Sequence, residues 1–291
     1  MRLASVVAGG ERWAAVVEED RAFVTEVPGL DAALAAAIDL ESARGEWRPL
    51  ADVRLDAPLR PSVVFCAGQN YRDHLAEKAP VEVDEPEFFL KAGQTIAAPD
   101  DPALIERDVT EKLDYETELG IVIGRRGRRV NPSDALGHVY GYVVVNDLTA
   151  RDRQVKVSAD GHTTLSLGTS KNFDGSTRIA PWVTTADEVG DPGNLALTTR
   201  VSGELRQSNT TENMLFDVTE LIAFVSRFLT LRPGAVLATG TPGGTGWGQD
   251  PELGGTGVTP PGCKPGRYLE VGDKVQSEVE RVGRLTFEVV E

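Results

Sequence analysis

The chain has 291 residues, which is enough for one large domain or for two unequal ones. Its 45 Asp and Glu residues outnumber its 30 Lys and Arg residues, and the formal net charge of −15 argues against nucleic acid and anionic membranes as partners, because both require basic surfaces. Two cysteines far apart in sequence predict no disulfide framework, and no apolar stretch has the length of a membrane span, so we expect a cytoplasmic protein.

The N-terminal part of the chain predicts a small α+β domain. Two short alternating runs, RLASVVA and RWAAVVEE, are joined by GGE, which is typical of a β-hairpin. The Ala-rich run DAALAAAIDLESA predicts a helix that begins at an Asp31 cap. Pro58 and Pro61 then interrupt the chain. We therefore expect one domain over residues 1–59 and a second over residues 60–291.

The second domain predicts a mostly β architecture. Its short β-type runs are SVVFCAG, ELGIVIG, GYVVVND, ALTTRVSG, AVLATG, KVQSEVE and RLTFEVV. Strand and helix patterns do not alternate regularly, which argues against a doubly wound sheet and favours a roll or barrel. One helix is predicted over 218–231, because apolar residues recur there at helical spacing. The Gly/Pro-rich stretch over 243–266 is typical of a long loop, and long ordered loops are often functional.

Three carboxylates fall at alternate positions in the run LDYETELGIVIG, which begins at Leu113. In a strand, Asp114, Glu116 and Glu118 would share one face. A solvent-exposed acidic edge fits this pattern, since charged residues are mostly exposed. A site for a hard cation also fits, because Mg²⁺ and Ca²⁺ take carboxylate oxygens as ligands.

A further ligand is offered by Asp147, which follows the apolar strand Gly141–Val145. A polar residue at the end of a strand can join a site that is assembled from several strands. The same position also suits a turn residue or a helix cap, and the following TARDRQ segment predicts a short helix.

The run NYRDHLAEK places His74 and Glu77 three residues apart. In a helix the two side chains would face the same way, and a carboxylate that orients an imidazole makes a general base. A solvated helix face fits the spacing equally well. Of the other histidines, His138 is expected to pack or to form a cap before a strand, and His162 is expected to lie in a loop.

Lys91 follows the apolar FFL run, and Lys171 lies among turn-rich segments. Either lysine suits a position near a substrate carboxylate, and either also suits an ordinary surface position. Thr241 lies in the run LATGTPGGTGWG, which lacks the G-K-[ST] pattern of a phosphate-binding loop. Its backbone amides and hydroxyl suit either a carboxylate cradle or a tight turn.

The order of these motifs resembles the fumarylacetoacetate hydrolase family. The motifs are GQNYRDHLAE, PEFFLKA, DYETELGIVIG, NDLTARDRQ, SKNFDGSTRIAPWV, LATGTPGGTG and YLEVGDKVQSEVERVGRLTFEVV. The resemblance covers the chain from about Pro61 to its end. It implies a β-roll or barrel domain, a common homodimeric assembly, a bound Mg²⁺ or Mn²⁺ ion (sometimes Ca²⁺) and a small carboxylic acid as substrate.

The resemblance also implies roles for individual positions. Glu116, Glu118 and Asp147 match the metal ligands of the family, whereas Asp114 has no such role. His74 and Glu77 match a pair that activates water in hydrolytic members, and Lys171 matches a lysine near the metal. The positions matched to the substrate site are Lys91, Arg151, Gln154 and Thr241.

The function expected from this resemblance is a metal-dependent hydrolase that cleaves a C–C bond in a β-diketo or acylpyruvate-type acid. Decarboxylation of an oxaloacetate-like 2-oxo acid and isomerisation of an unsaturated oxo-dioic acid are rival expectations, because both also pass through an enolate. A non-catalytic metal-binding protein is a further alternative. The segments 155–170 and 249–266 are longer than in many members, so the resemblance does not name the substrate.

Overall fold

This computed structural model describes residues 1–78, 83–158 and 163–291. Its N-terminal part is a strand meander with one helix. Its elements are β1 (Arg2–Ala8), β2 (Glu11–Glu18), β3 (Arg21–Thr25), α1 (Gly29–Ala36), β4 (Gly45–Pro49) and β5 (Arg54–Asp56). The predicted hairpin of β1 and β2 is confirmed, and it turns at Gly9 and Gly10, whose φ angles of 62° and 86° favour glycine. The first helix begins before Asp31, whose carboxylate contacts Arg12 at 2.7 Å instead of capping the helix.

The rest of the chain adds sixteen strands and five α-helices within the described residues. The strands are β6 (Val63–Gly68), β7 (Glu87–Ala92), β8 (Ile96–Ala97), β9 (Ala103–Leu104), β10 (Leu113–Asp114), β11 (Thr117–Ile123), β12 (Val139–Asp147), β13 (Thr149–Ala150), β14 (Val155–Val157), β15 (Thr163–Leu165), β16 (Thr177–Thr185), β17 (Ala196–Val201), β18 (Glu204–Thr210), β19 (Val236–Ala238), β20 (Lys274–Val279) and β21 (Gly283–Val290). The α-helices are α2 (Arg72–Ala76), α3 (Arg151–Gln154), α4 (Gly168–Lys171), α5 (Ala186–Val189) and α6 (Val218–Phe228). Short 3₁₀ helices span Leu50–Asp52, Gly93–Thr95, Pro132–His138, Pro192–Asn194, Thr211–Asn213, Trp247–Gln249 and Pro251–Leu253.

One large sheet runs through the described part of the chain in the order β4-β3-β2-β1-β16-β12-β11-β19-β6-β7, with β5 and β8 attached beside it. The N-terminal strands join this sheet through β1, which pairs antiparallel with β16. A second sheet has the order β18-β17-β20-β21-β9. The predicted mostly β fold is therefore confirmed, while a domain boundary after residue 59 stays a prediction. Within residues 1–78, 83–158 and 163–291, no helix is both long and apolar enough to cross a membrane.

Helix α6 follows the predicted segment but ends earlier. It begins after Asp217, whose carboxylate accepts hydrogen bonds from the first turn in a capping box with Glu220. Leu229 already has an extended backbone, because the chain then leaves the helix and Leu231 pairs with Gly127. The predicted apolar face is buried over the first two turns, whereas Phe228 is 57% exposed.

Candidate active site

Three acidic side chains converge where β11 and β12 lie side by side. Glu118 is in register with Val145, and the backbone N–H of Asp147 donates a 2.9 Å hydrogen bond to the carbonyl oxygen of Glu116. This antiparallel register brings both glutamates to the end of β12, where Asp147 lies. One carboxylate oxygen of each residue lies within 4.8 Å of the others. We call Glu116, Glu118 and Asp147 the acidic triad.

The acidic triad is buried rather than solvated. The exposed fractions are 4% for Glu116, 1% for Glu118 and 0% for Asp147. The alternative of a solvent-exposed acidic edge is therefore wrong. Like charges buried this close together are unfavourable unless cations or hydrogen bonds compensate them. The surroundings of the triad must supply that compensation.

Two lysines supply part of the positive charge. Lys171 Nζ donates hydrogen bonds of 2.6 Å to Glu116 and 2.7 Å to Asp147. Lys91 Nζ donates to Asp147 and, at 2.8 Å, to the carbonyl oxygen of Ser176. Both lysine side chains are buried, so neither is an ordinary surface residue. Burial alone would raise the pKa of Glu116, but Lys171 and then Arg151 outweigh it and lower that pKa to about 2.

Glu118 is the triad member that lacks a cation. Its carboxylate accepts a 2.8 Å hydrogen bond from the backbone N–H of Gly240 and forms no ion pair with any described residue. Burial and then the neighbouring Asp147 and Glu116 raise the pKa of Glu118 well above its usual range. The triad therefore places several oxygen donors at one point, and its fully ionised form has more negative charge than the two lysines and Arg151 neutralise. Both properties fit a hard divalent cation such as Mg²⁺ or Mn²⁺.

Asp114 is not part of the acidic triad and instead holds an arginine. The strand pattern is interrupted between β10 and β11, and the Asp114 carboxylate accepts hydrogen bonds of 2.8 Å from Arg151 Nε and from the backbone N–H of Gly246. Arg151 donates 2.6 Å bonds through its other nitrogens to Glu116 and to Gln154. Asp114 therefore holds the guanidinium that connects the triad to Gln154.

His74 and Glu77 form a buried pair at the end of α2. His74 Nδ1 and Glu77 Oε2 are 2.7 Å apart, and the two residues are 5% and 2% exposed. The alternative of a solvated helix face is therefore wrong. Glu77 also accepts hydrogen bonds from the backbone N–H groups of Gly244 (2.6 Å) and Thr245 (3.0 Å) and from the Thr245 hydroxyl (2.9 Å). These bonds fix the carboxylate, which in turn fixes the imidazole.

The two long segments lie against this site. Thr256, in the segment 249–266, donates its backbone N–H to the carbonyl oxygen of Glu77 at 3.0 Å. The segment 155–170 contains β14 and β15, and its Leu165 and Leu167 line the cavity beside the triad. Residues 159–162, including His162, lie outside the described residues.

A cavity of about 140 Å³ connects these groups. The lining residues that the sequence singles out are His74, Glu116, Glu118, Arg151, Gln154, Lys171 and Thr241. The Thr241 hydroxyl donates a 3.1 Å hydrogen bond to the carbonyl oxygen of Thr117 and accepts a 2.9 Å hydrogen bond from the Gln207 side-chain amide. Glu77, Lys91 and Asp147 are buried next to the lining residues and are not themselves part of the lining among the described residues.

Lys78 and Trp247 are among the residues that line this cavity and were not predicted from the sequence. Trp247 packs its ring 5.1 Å from the Arg151 guanidinium and edge-on to the His74 ring, with 6.2 Å between the ring centroids. A tryptophan within a Gly-rich loop was the available signal, because a large aromatic ring in a flexible loop usually packs against something. Lys78 directly follows Glu77 and carries no comparable local signal.

The chain is similar to proteins of one enzyme family. Residues 63–290 match the family description Fumarylacetoacetate (FAA) hydrolase C-terminal. The oxaloacetate tautomerase YisK of Bacillus subtilis (strain 168) is 38% identical over 245 residues, which cover 82% of this chain and 74% of that protein.

Solved structures extend this similarity to the whole chain. The fumarylacetoacetate hydrolase of psychrophilic Exiguobacterium antarcticum is 35% identical with a TM-score of 0.79, and the match covers 100% of this chain and 99% of that one. Maleylpyruvate hydrolase from Sphingobium sp. SYK-6, in complex with manganese(II) ion and pyruvate, is 27% identical with a TM-score of 0.75, at coverages of 100% and 99%. These structures confirm the predicted fold.

Replacing one carboxylate of the triad should weaken metal binding without unfolding the protein. The wild type should gain thermal stability from Mg²⁺ or Mn²⁺, because an ion that binds only the folded state stabilises that state. Glu118→Gln replaces a charged oxygen donor by a neutral amide, so we expect the affinity for the ion to fall roughly 10-fold or more. Calorimetric titration and the metal-dependent change in Tm measure both effects.

Glu87→Gln is the matched control, because Glu87 lines the same cavity but is not part of the acidic triad. This variant should bind the ion like the wild type. Without metal, E118Q should melt no lower than the wild type, since a neutral amide replaces a buried carboxyl that has no cation partner and whose charged form burial disfavours. If E118Q binds the ion as tightly as the wild type, the triad is not the metal site.

Proposed function

The chain belongs to the fumarylacetoacetate hydrolase family, and from this premise we propose that it is a metal-dependent enzyme that interconverts the keto and enol forms of a compact 2-oxo acid of the oxaloacetate type. The observation that carries the proposal is the meeting of a His–Glu pair and a buried acidic triad at one small cavity. Similarity to an oxaloacetate tautomerase supports the reaction, and a related structure that contains manganese and pyruvate supports the 2-oxo acid.

Glu116, Glu118 and Asp147 would hold a Mg²⁺ or Mn²⁺ ion, and Ca²⁺ also accepts such ligands. When bound, the ion supplies positive charge that stabilises the negative oxygen of an enolate. Lys171 compensates part of the charge of Glu116 and Asp147, since it donates a hydrogen bond to each. Lys91 supports Asp147 from outside the cavity lining, so we assign it a supporting role rather than direct substrate contact.

His74 would carry the proton. Its Nδ1 is engaged with Glu77, so Nε2 is the nitrogen left for a substrate in the cavity. The imidazole accepts a proton from carbon 3 of the 2-oxo acid and returns a proton to the oxygen on carbon 2. One proton moves from carbon to oxygen, and no other bond changes. General-base assistance of this kind typically contributes about 10²–10⁴-fold in rate.

The size of the cavity favours a compact substrate. Its volume of about 140 Å³ is below the roughly 300–1,000 Å³ of pockets that hold drug-sized ligands. Phe89, Leu165, Leu167 and Trp247 form apolar parts of its lining. A short oxo acid matches this space better than an acylpyruvate with a long acyl chain.

Hydrolytic C–C cleavage is the second candidate, and the His74–Glu77 pair favours it. The same imidazole would deprotonate a water molecule, the hydroxide would attack a carbonyl carbon, and the C–C bond would break to leave an enolate. Decarboxylation of a β-oxo acid also yields an enolate, but it needs no water attack. The three reactions differ in their products and not in the charges of the site.

The first test removes the base. Enol–keto conversion of oxaloacetate, followed by its ultraviolet absorbance with Mg²⁺ present, should slow about 10²–10⁴-fold in His74→Gln. His138→Gln is the control, because His138 lies outside the cavity and its ring bonds to Arg125. H74Q should keep the metal-dependent rise in Tm. An H74Q enzyme with the full rate would show that His74 is not the base.

The second test separates the reactions by their products. Wild-type enzyme with Mg²⁺ or Mn²⁺ is supplied with oxaloacetate and with a short acylpyruvate, and the products are resolved by chromatography while CO₂ release is followed. We expect tautomerisation of oxaloacetate to be faster than CO₂ release and faster than the appearance of pyruvate plus a free acid. Faster acid release from the acylpyruvate would instead establish the hydrolase, and the absence of any reaction would contradict both candidates.

A further inference from the structure

Lys78 is a cation of the cavity that the proposed chemistry does not use. It follows Glu77 directly, is partly buried and lines the cavity. Its Nζ lies 4.8 Å from the centroid of the Trp247 ring, a cation–π contact that positions the ammonium group. Such a contact holds a cation in place but leaves its hydrogen-bonding protons unused.

The other cations beside the triad are already paired. Lys171 bonds to Glu116 and Asp147, and Arg151 bonds to Asp114 and Glu116. By contrast, Lys78 Nζ forms no ion pair and no hydrogen bond within the described part of the chain. Burial and then the nearby Arg151 charge lower the pKa of Lys78 to about 8. An unpaired cation in this setting reduces the stability of the fold unless an anion joins it.

The position of Lys78 relative to the base indicates what such an anion would be. The Trp247 ring contacts the Lys78 ammonium and the edge of the His74 ring. Lys78 and His74 therefore border the same part of the cavity, although Lys78 forms no ion pair with the triad carboxylates. An acid whose reacting carbon meets His74 would extend its remaining atoms toward Lys78.

We propose that Lys78 binds the second carboxylate of the substrate and thereby makes the site selective for 2-oxo diacids over 2-oxo monoacids. The inference rests on the proposed function and deepens it, because it assigns the substrate class to one residue. A charged hydrogen bond formed away from bulk water contributes enough to change affinity about 10-fold or more. Lys78 is thus a specificity-determining residue and takes no part in the proton transfer.

The kinetic test compares two substrates that differ at one group. Oxaloacetate carries a carboxylate where 2,4-dioxopentanoate carries an acetyl group. Lys78→Met should raise the KM for oxaloacetate about 10-fold or more and leave kcat within a few-fold, because the proton-transfer groups are intact. The KM for 2,4-dioxopentanoate should stay unchanged. Lys78→Arg should recover part of the affinity, and Lys274→Met, which removes an exposed lysine outside the cavity, should behave as the wild type.

A binding test that needs no turnover distinguishes failure of this inference from failure of the proposed function. Malate and lactate are both 2-hydroxy acids, and only malate has a second carboxylate. Calorimetric titration with Mg²⁺ present should show tighter binding of malate to the wild type, and K78M should lose that preference while it binds lactate unchanged. If oxaloacetate is not converted but this preference is lost in K78M, the proposed function fails and the role of Lys78 stands.

Other outcomes overturn the role of Lys78. They are equal binding of malate by the wild type and K78M, no preference for malate in the wild type, and no malate binding at all. A purely structural role would weaken both ligands equally and lower the Tm. We expect the Tm of K78M to equal or exceed that of the wild type, because the substitution removes an unpaired charge.

Discussion

The burial of three carboxylates at one point is the constraint on which the rest of the site depends. The register of β11 with β12 brings the acidic triad together, and the hydrophobic sheet around it excludes the water that would otherwise solvate the charges. Lys91, Lys171 and Arg151 each compensate part of that charge. Their contacts leave Glu118 without a cation. The protein therefore folds around three carboxylates whose fully ionised form its own cations do not neutralise, and burial together with this excess charge raises the pKa of Glu118.

Other buried carboxylates of the site are held by the backbone of the Gly-rich loop. Backbone N–H groups near Gly244 and Gly246 hold Glu77 and Asp114, respectively. One loop thus fixes the carboxylate that orients the His74 imidazole and the carboxylate that orients the Arg151 guanidinium. A Cβ at Gly248 would lie 2.5 Å from the Glu77 carboxylate oxygen, so the close approach of this loop requires glycine there. The Gly-rich composition of the loop is therefore part of how Glu77 and Asp114 are positioned.

Sequence reasoning predicted the parts of the site that follow from local periodicity. The alternation of Glu116 and Glu118 and the strand end at Asp147 fitted a shared cation site and a solvated edge alike, and the family resemblance selected the cation site. The interruption between β10 and β11 was not predictable, because Asp114 is held by Arg151 and by loop amides that are distant in sequence. For the same reason Lys78 was not predictable, since its environment comes from the Trp247 ring, 169 positions away in sequence. The surroundings of Asp114 and of Lys78 come from long-range packing and not from the local sequence pattern.

Selectivity for a dianion in a protein of net charge −15 requires a local explanation. The overall charge repels such a substrate, but salt screens exposed charges beyond roughly 8 Å at physiological ionic strength. The charges that line the cavity therefore decide which acid binds. Arg151 and Lys171 already form ion pairs with carboxylates of the protein, so they add little electrostatic attraction for a second anionic group of the ligand. An ammonium group with no protein carboxylate as partner keeps its attraction for the ligand, and Lys78 is in that position.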